Sequence, residues 1–351
     1  MVATDPLWLP SLSYDETELR KMDSALVMAD GTALGSRAGI RPGDPGLAVS
    51  LSGTTVNVTA GTATCYRSTQ GVYRAQLAAT SPGTLAAANA SFSRIDLVYL
   101  RIWDTSVDSS GLLKADTVYL AGTASASPVA PTPGATEIYI PLATITVPST
   151  GGGGTGAATV SSAVRQLTVA PGGILPVSSA TDIAASGLYA GQVRYNTVSA
   201  GLEIWTGSAW QAQGVWTSFT PTWTASTTNP TLGNGTLVSR WCRNGRLINW
   251  MGTLTLGSTS NGGTGLWRMS VPVTAASGGS MPTWRGVFSY VKPGDNDYIG
   301  QCFLAPGGTA IDFVVKSGAN SSSTQNVSNT APVAAANGNI ITWSLTYEAA
   351  S

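Results

Sequence analysis

Residues 237–256 read LVSRWCRNGRLINWMGTLTL, and the Asn244-Gly245 dipeptide at their centre decides how the surrounding chain must fold. Asn-Gly between alternating apolar and polar residues is the strongest short-range hairpin signal, because a type I′ turn needs positive φ at both central positions. With Asn244 and Gly245 as the loop, Arg243 stands opposite Arg246, Trp241 opposite Ile248, Ser239 opposite Trp250 and Leu237 opposite Gly252. Strand side chains alternate between faces. Leu237, Trp241, Ile248, Trp250, Leu254 and Leu256 therefore share one face, and Arg240, Asn249, Thr253 and Thr255 the other. The first face is expected to be buried and the second wet or in contact with another subunit.

The composition agrees with an all-β reading. Of 351 residues 43% are hydrophobic but only 10% are charged, against roughly a quarter in an average soluble domain. The 18 basic and 18 acidic residues cancel, so no long-range field gathers nucleic acid or an anionic membrane, and neither is expected as a partner. Forty-one glycines without a collagen period, beside 11 Trp and 11 Tyr, describe a folded chain with bulky apolar area to bury. Histidine is absent. That removes the commonest general base, the commonest zinc ligand and every Ser-His or Cys-His nucleophile system. Cys65, Cys242 and Cys302 are odd in number and widely spaced, which suits buried reduced thiols better than a disulfide framework or metal site. The start, MVATDPLWLPSL, has neither a basic n-region nor a long apolar run, so no secretion route and no membrane insertion are expected.

Towards the N-terminus one segment reads as helix. Ser13 stands as N-cap with Glu16 three residues on, Leu19, Met22, Leu26 and Ala29 recur at helical spacing, and Gly31 stops the run. A helix this short is marginal alone, so its apolar stripe is expected to dock. From Gly39 to Leu167 short period-two runs follow: Leu47 to Val49, Thr54 to Thr59, Ile95 to Trp103, Thr117 to Leu120, Ile138 to Ile140 and Leu142 to Val147. Such spacing indicates a β-sandwich or barrel. The proline-rich stretch from Ser127 to Gly134 should lie extended over the surface. Gly151 to Gly156 has nominal phosphate-loop spacing, but the AATVSSAVRQL behind it is too short and Ser-rich for the required helix, so it reads as a flexible loop.

The order of motifs in this half carries a resemblance. A Tyr14-led helix with Leu19-Arg20 is followed by Gly39-Ile40, Leu47-Ala48-Val49, Val56-Asn57-Val58, Ala60-Gly61 and Gly71-Val72-Tyr73. Then come Arg94-Ile95-Asp96-Leu97-Val98, Arg101-Ile102-Trp103-Asp104, Gly122-Thr123 with Pro128, Pro131 and Pro133, and Leu142 to Val147. The set resembles the N-terminal module of minor tail proteins from tailed phages of actinobacteria over roughly residues 10 to 168. Val164-Arg165-Gln166-Leu167 stands where that family usually has an Asp-Leu-Arg-like finish. Residues 169–214 contain Gly191-Gln192-Val193-Arg194-Tyr195-Asn196 and a hairpin around Thr206-Gly207-Ser208, and are similar to small β modules of phage tail fibres. Residues 215–351 resemble the β-jelly-roll tips of such fibres through Phe219 to Trp223, Asn229-Pro230, Leu232 to Thr236 and the Trp241 to Met251 hairpin.

Candidate chemistry is sparse. Six acidic residues follow position 181, and glycan cleavage would need two of them across a cleft, a placement the sequence leaves open. Asp295 and Asp297 flank Asn296 in a segment that reads as a turn, with an oxygen-rich calcium site as the alternative. Arg94, Asp96, Arg101 and Asp104 alternate along one strand and suit ion pairing at a subunit or sheet edge. Nine of the 11 Trp lie after residue 200. Most suit core or trimer interface. Trp267 and Trp284, in Gly- and Pro-flanked loop contexts, and with them Trp223, are candidates for stacking on sugars. Arg243 and Arg246, if opposed, are destabilising unless solvated or holding an anion such as a wall-polymer phosphate.

These readings lead to a mostly β chain with four segments: residues 1–35 with a docking helix, a 36–168 β-sandwich for tail attachment, a 169–214 linker module, and a 215–351 jelly-roll for receptor binding. A homotrimer is expected, since so charge-poor a C-terminal half would expose large apolar patches as a monomer. The resemblance implies a virion protein at the tail tip, assembled in the host cytoplasm. Its implied partners are other tail or baseplate proteins and bacterial cell-surface glycan, and from the histidine-free, charge-poor composition no catalytic residue, metal or cofactor is expected. The rivals are a wall-polysaccharide depolymerase and a purely structural tail component.

Overall fold

The computed structural model describes residues 13–278, 282–294, 297–316 and 323–350. It is mostly β, and it divides into two compact units, Met1–Gln211 and Ala212–Ser351.

In the first unit α1 (Glu16–Asp23) begins at Asp15, whose carboxylate accepts from Glu18 N while the Glu18 side chain accepts from Asp15 N. The capping box is thus set two residues beyond the expected Ser13–Glu16 pair, since the first turn needs its acceptor at the residue where the chain leaves extended geometry. The helix docks by its polar side. Arg20 donates to Gln70 O and Gln70 Oε1 (3.2 and 2.8 Å) and lies over the Tyr73 ring at 4.5 Å, and Asp23 pairs with Arg74. Leu19, Met22 and Leu26 stay exposed, against the expectation that their stripe docks. Gly71 explains why: a Cβ there would come 2.7 Å from the Arg20 backbone, so the polar face is seated directly on the strand.

Behind the helix, β1 (Val49–Ser52), β2 (Thr55–Val58), β3 (Gly61–Arg67), β4 (Gly71–Leu77) and β5 (Thr80–Thr84) form a β1-β2-β5 sheet and a β3-β4 hairpin. A second sheet, ordered β7-β6-β8-β9, uses β6 (Arg94–Asp104), β7 (Leu113–Leu120), β8 (Ile138–Val147) and β9 (Thr159–Ser161). Their inward side chains, among them Val56, Val98, Leu100, Ile140 and Ile145, make one core with Ile40 and Leu47 from the segment before β1, which fits a β-sandwich. β8 runs straight through Pro141, where the sequence suggests two strands. A register shift at Val98/Tyr99 lets the proline, which has no N–H to donate, sit beside Tyr99. The Gly-rich segment winds into two 3-10 turns, Thr150–Gly152 and Gly154–Ala157, and leads to strand β9, not to a helix. The β6 charges pair within the chain. Asp96 accepts from Arg94 Nε, Tyr119 Oη and Gly122 N at 2.7 to 2.8 Å, and Arg101 pairs with Asp108 and Glu137.

The small module belongs to this unit. α2 (Thr105–Asp108) follows β6, and α3 (Ala180–Ala184) lies beside a sheet ordered β10-β11-β12-β13, from β10 (Leu175–Val177), β11 (Val193–Asn196), β12 (Gly201–Trp205) and β13 (Trp210–Gln213). Leu175 and Val177 share an apolar cluster with Met28, Leu167 and Ile183.

The second unit contains no helix among its described residues. β14 (Thr217–Phe219), β15 (Trp223–Ala225), β16 (Thr236–Asn244), β17 (Leu247–Thr255), β18 (Trp267–Ser270), β19 (Trp284–Val291), β20 (Asp297–Leu304), β21 (Ala310–Lys316), β22 (Thr324–Asn326) and β23 (Ile340–Glu348) form one curled antiparallel sheet. Its order is β14-β16-β17-β23-β19-β20-β21-β18-β15, with β22 on β21. One face is turned inward and packs Trp250, Trp267, Phe288, Tyr290, Phe313, Trp343 and Tyr347 into a single core.

The β16-β17 hairpin keeps the expected faces but changes its partners. Asn244 pairs with Leu247, Trp241 with Trp250 and Ser239 with Gly252, so Gly245 and Arg246 are the loop. Gly245 has φ of 60° while Asn244 and Arg246 have no positive φ, which is the type II′ pattern with glycine first. The expected partners are offset by two residues, an even number, so every side chain keeps its side of the sheet.

The three cysteines are free and buried. Burial pushes the Cys65 and Cys302 thiols up to about 12, so both are neutral at physiological pH.

Candidate functional site

The expected sugar platforms do not converge. Trp267 is 1% exposed, its Nε1 donates to Gly262 O at 2.7 Å, and its ring meets Trp223 edge-on at 4.9 Å and stacks near Tyr290. Trp223 is also buried. Both are corrected from surface candidates to core. The glycines that suggest an exposed loop instead make room for an indole: a Cβ on Gly262 would come 2.7 Å from Trp267 Cζ2. Trp284 opens β19, half-buried, with its ring edge-on to Tyr347 at 6.4 Å. Trp216 alone among the described tryptophans is exposed.

Nor do Arg243 and Arg246 face each other. Arg243 stands opposite Ile248 and donates to Gly245 O at 2.6 Å. Arg246 donates to Ala349 O and pairs with Glu348 at 3.1 Å. Burial, then the nearby Arg246 charge, lowers the Arg243 pKa. The candidate anion clamp is not formed: Arg243 is tied to the hairpin loop, and Arg246 to Ala349 and Glu348 at the end of the last strand. Asp297 opens β20 and is exposed; Asp295 lies outside the described residues.

What the fold brings together instead is the outward face of the second unit's sheet. Period-two alternation turns Val238, Arg240, Met251, Thr253, Thr342, Ser344, Val287, Ser289, Ile299, Gln301, Phe303, Val314 and Lys316 away from the core. Val238, Val287 and Ile299 are 62 to 71% exposed. Between Val238 and Met251 on one side and Val287 on the other lies a groove of about 480 Å3 floored by Thr342 and Ser344. Beside it a second groove of about 560 Å3 is lined by Arg285, Ile299, Gln301, Phe303, Val314, Lys316 and Thr324. Both volumes fall in the roughly 300–1,000 Å3 range of small-ligand clefts. The sequence places Arg240 and Thr253 on a wet or inter-subunit face but points to none of the other outward residues. The signal was present in Val287-Phe288 and Tyr298-Ile299, where adjacent large apolar residues must point to opposite faces.

The small module carries a second unusual face. Arg194, Asn196 and Glu203 are buried: Arg194 pairs with Glu203 at 2.6 Å, lies over Trp210 at 3.9 Å and donates to the carbonyls of Asp182, Ile183 and Ala185 at the end of α3. Tyr195, Leu202 and Ile204 point the other way and are exposed. On β11 and β12 polar residues are inside and apolar ones outside.

No protein-family model, curated protein or solved structure matches the chain.

Proposed function

We propose that this chain is a tail-tip or tail-fibre protein of a tailed actinobacterial phage, joined to the tail through its first unit and adsorbing to the host surface through its second, a jelly-roll tip. The observation that carries the reading is the outward face of the second unit's sheet, where an open groove with a Thr342 and Ser344 floor and apolar walls suits a linear glycan. The ordered motifs of the first unit support the attachment half. So does the exposed Leu19, Met22 and Leu26 stripe, which offers a partner an apolar helix face. A homotrimer is part of the proposal, supported by the outward Tyr195, Leu202 and Ile204, which a neighbouring copy would cover. Trimeric avidity would add weak glycan contacts.

The test is retention of labelled full-length chain on intact actinobacterial cells and purified wall fractions, with released sugar assayed in parallel. Retention without sugar release is expected. Sugar release would move the assignment to a depolymerase, and absence of retention to a structural tail component.

A further inference from the structure

We propose that the groove lined by Arg285, Phe303, Gln301, Lys316 and Thr324 binds an anionic saccharide, with its acidic group between the guanidinium and the ammonium and an apolar ring face on Phe303. The proposal rests on the adsorption reading for the source of that ligand. Register sets Arg285 opposite Phe303 and Gln301 opposite Val314, and Lys316 follows Val315 on the neighbouring strand, so all share the outward face. The two cations and the aromatic ring line one cleft of about 560 Å3, and among the described residues no carboxylate lines it.

Arg285 and Lys316 are the two cations of the second unit that line one cleft together. Residues 212–351 hold seven Lys and Arg against four Asp and Glu. Arg246 and Arg268 are neutralised by Glu348 and Asp312, at 3.1 and 2.7 Å. Arg240 donates to Trp216 O, and Arg243 to Gly245 O. Arg285 donates to Gln301 Oε1 at 3.0 Å, and among the described residues neither Arg285 nor Lys316 forms an ion pair. Two uncompensated cations in one cleft of a charge-poor protein set up a local positive potential that a neutral glycan would not use. The guanidinium fork matches a carboxylate or phosphate in two-point geometry, and Lys316 adds a mobile point charge. Phe303 is half-buried, so its ring is held in place while one side faces the groove. Carboxylate of a uronic acid and phosphate of a polyol or sugar phosphate share this chemistry.

Full-length chain, wild type and Arg285→Gln/Lys316→Gln, should be titrated with polygalacturonate, poly(glycerol phosphate) and neutral dextran at 50 and 300 mM NaCl. The expected result is at least tenfold tighter binding of one or both anionic polymers than of dextran, at least tenfold weakening at the higher salt, and at least tenfold weakening in the double variant. The two polyanions separate carboxylate from phosphate recognition. Both replaced side chains are exposed, so an unchanged melting temperature serves as the folding control. Failure to bind either polyanion, dextran bound as tightly, or a double variant within twofold of wild type would overturn the proposal. Cell adsorption keeps the two readings apart. Undiminished adsorption by the double variant removes the saccharide site and leaves the adsorption role, whereas polyanion binding by a wild-type chain that ignores cells does the reverse.

Discussion

The indole of Trp343 lies across Gly252 of the neighbouring strand, so close that a Cβ on Gly252 would come 2.2 Å from Trp343 Cζ2. The missing side chain is what lets a tryptophan lie flat in the core beneath the outward groove. Gly252→Ala should therefore cost about 1–3 kcal/mol through overpacking. In a Trp343→Leu background the same change should cost much less, because the clash and the glycine are coupled. Denaturant midpoints of the four variants measure this, and additive effects would contradict the contact.

Gly245 takes φ of 60° and Asn244 does not. Gly245→Val should destabilise the hairpin by about 1–2 kcal/mol, the cost of left-handed backbone for a side chain with a Cβ. Asn244→Val should be nearly silent, because Asn244 ends strand β16. A loop centred on Asn244-Gly245 would make both substitutions costly, so paired thermal melts decide the register.

Arg194 and Glu203 form a buried pair at 2.6 Å, and Glu203 also accepts from Asn196 Nδ2 at 3.0 Å. Replacing Arg194 with Met strands a buried carboxylate and uncaps three α3 carbonyls, with an expected loss of about 3–5 kcal/mol. Arg194→Met with Glu203→Leu should lose less than Arg194→Met alone. Chemical denaturation of both variants checks the order.

Asp104 predicts an acid limb for the first unit. Burial raises its pKa, but hydrogen bonds from the Ser106 hydroxyl and N–H and from the Tyr73 hydroxyl, with the Arg20 charge, outweigh it and hold the pKa below the ordinary 3.8. A depressed folded-state pKa stabilises the fold above the unfolded value, and that contribution fades as pH falls from there through the folded value. Stability of the first unit should drop below about pH 4. Tyr73→Phe should flatten that limb in melts taken from pH 7 to 3.

How much of this was legible in the sequence depends on parity. The faces of β16 and β17 follow from alternation and survive a two-residue error in partners, whereas the loop position depends on which residue takes positive φ, and Asn-Gly permits either position. Trp267 shows the opposite case. Glycine beside an aromatic residue can mean a mobile loop or space for the ring, and only the contact of Gly262 with Trp267 separates them. The helix carried its cap signal in Asp15 and Glu18, but its docking side depended on Gly71, some 50 residues on, which periodicity cannot reach. The groove residues were hidden because a curled sheet has only one inside, and strand order, which local sequence does not encode, decides which outward side chains become neighbours.

The proposed division of labour between the two units is tested most directly by virions whose chain lacks residues 212–351. The account predicts that such particles incorporate the truncated chain through the first unit and adsorb poorly to host cells. Normal adsorption by particles carrying that truncation would contradict it.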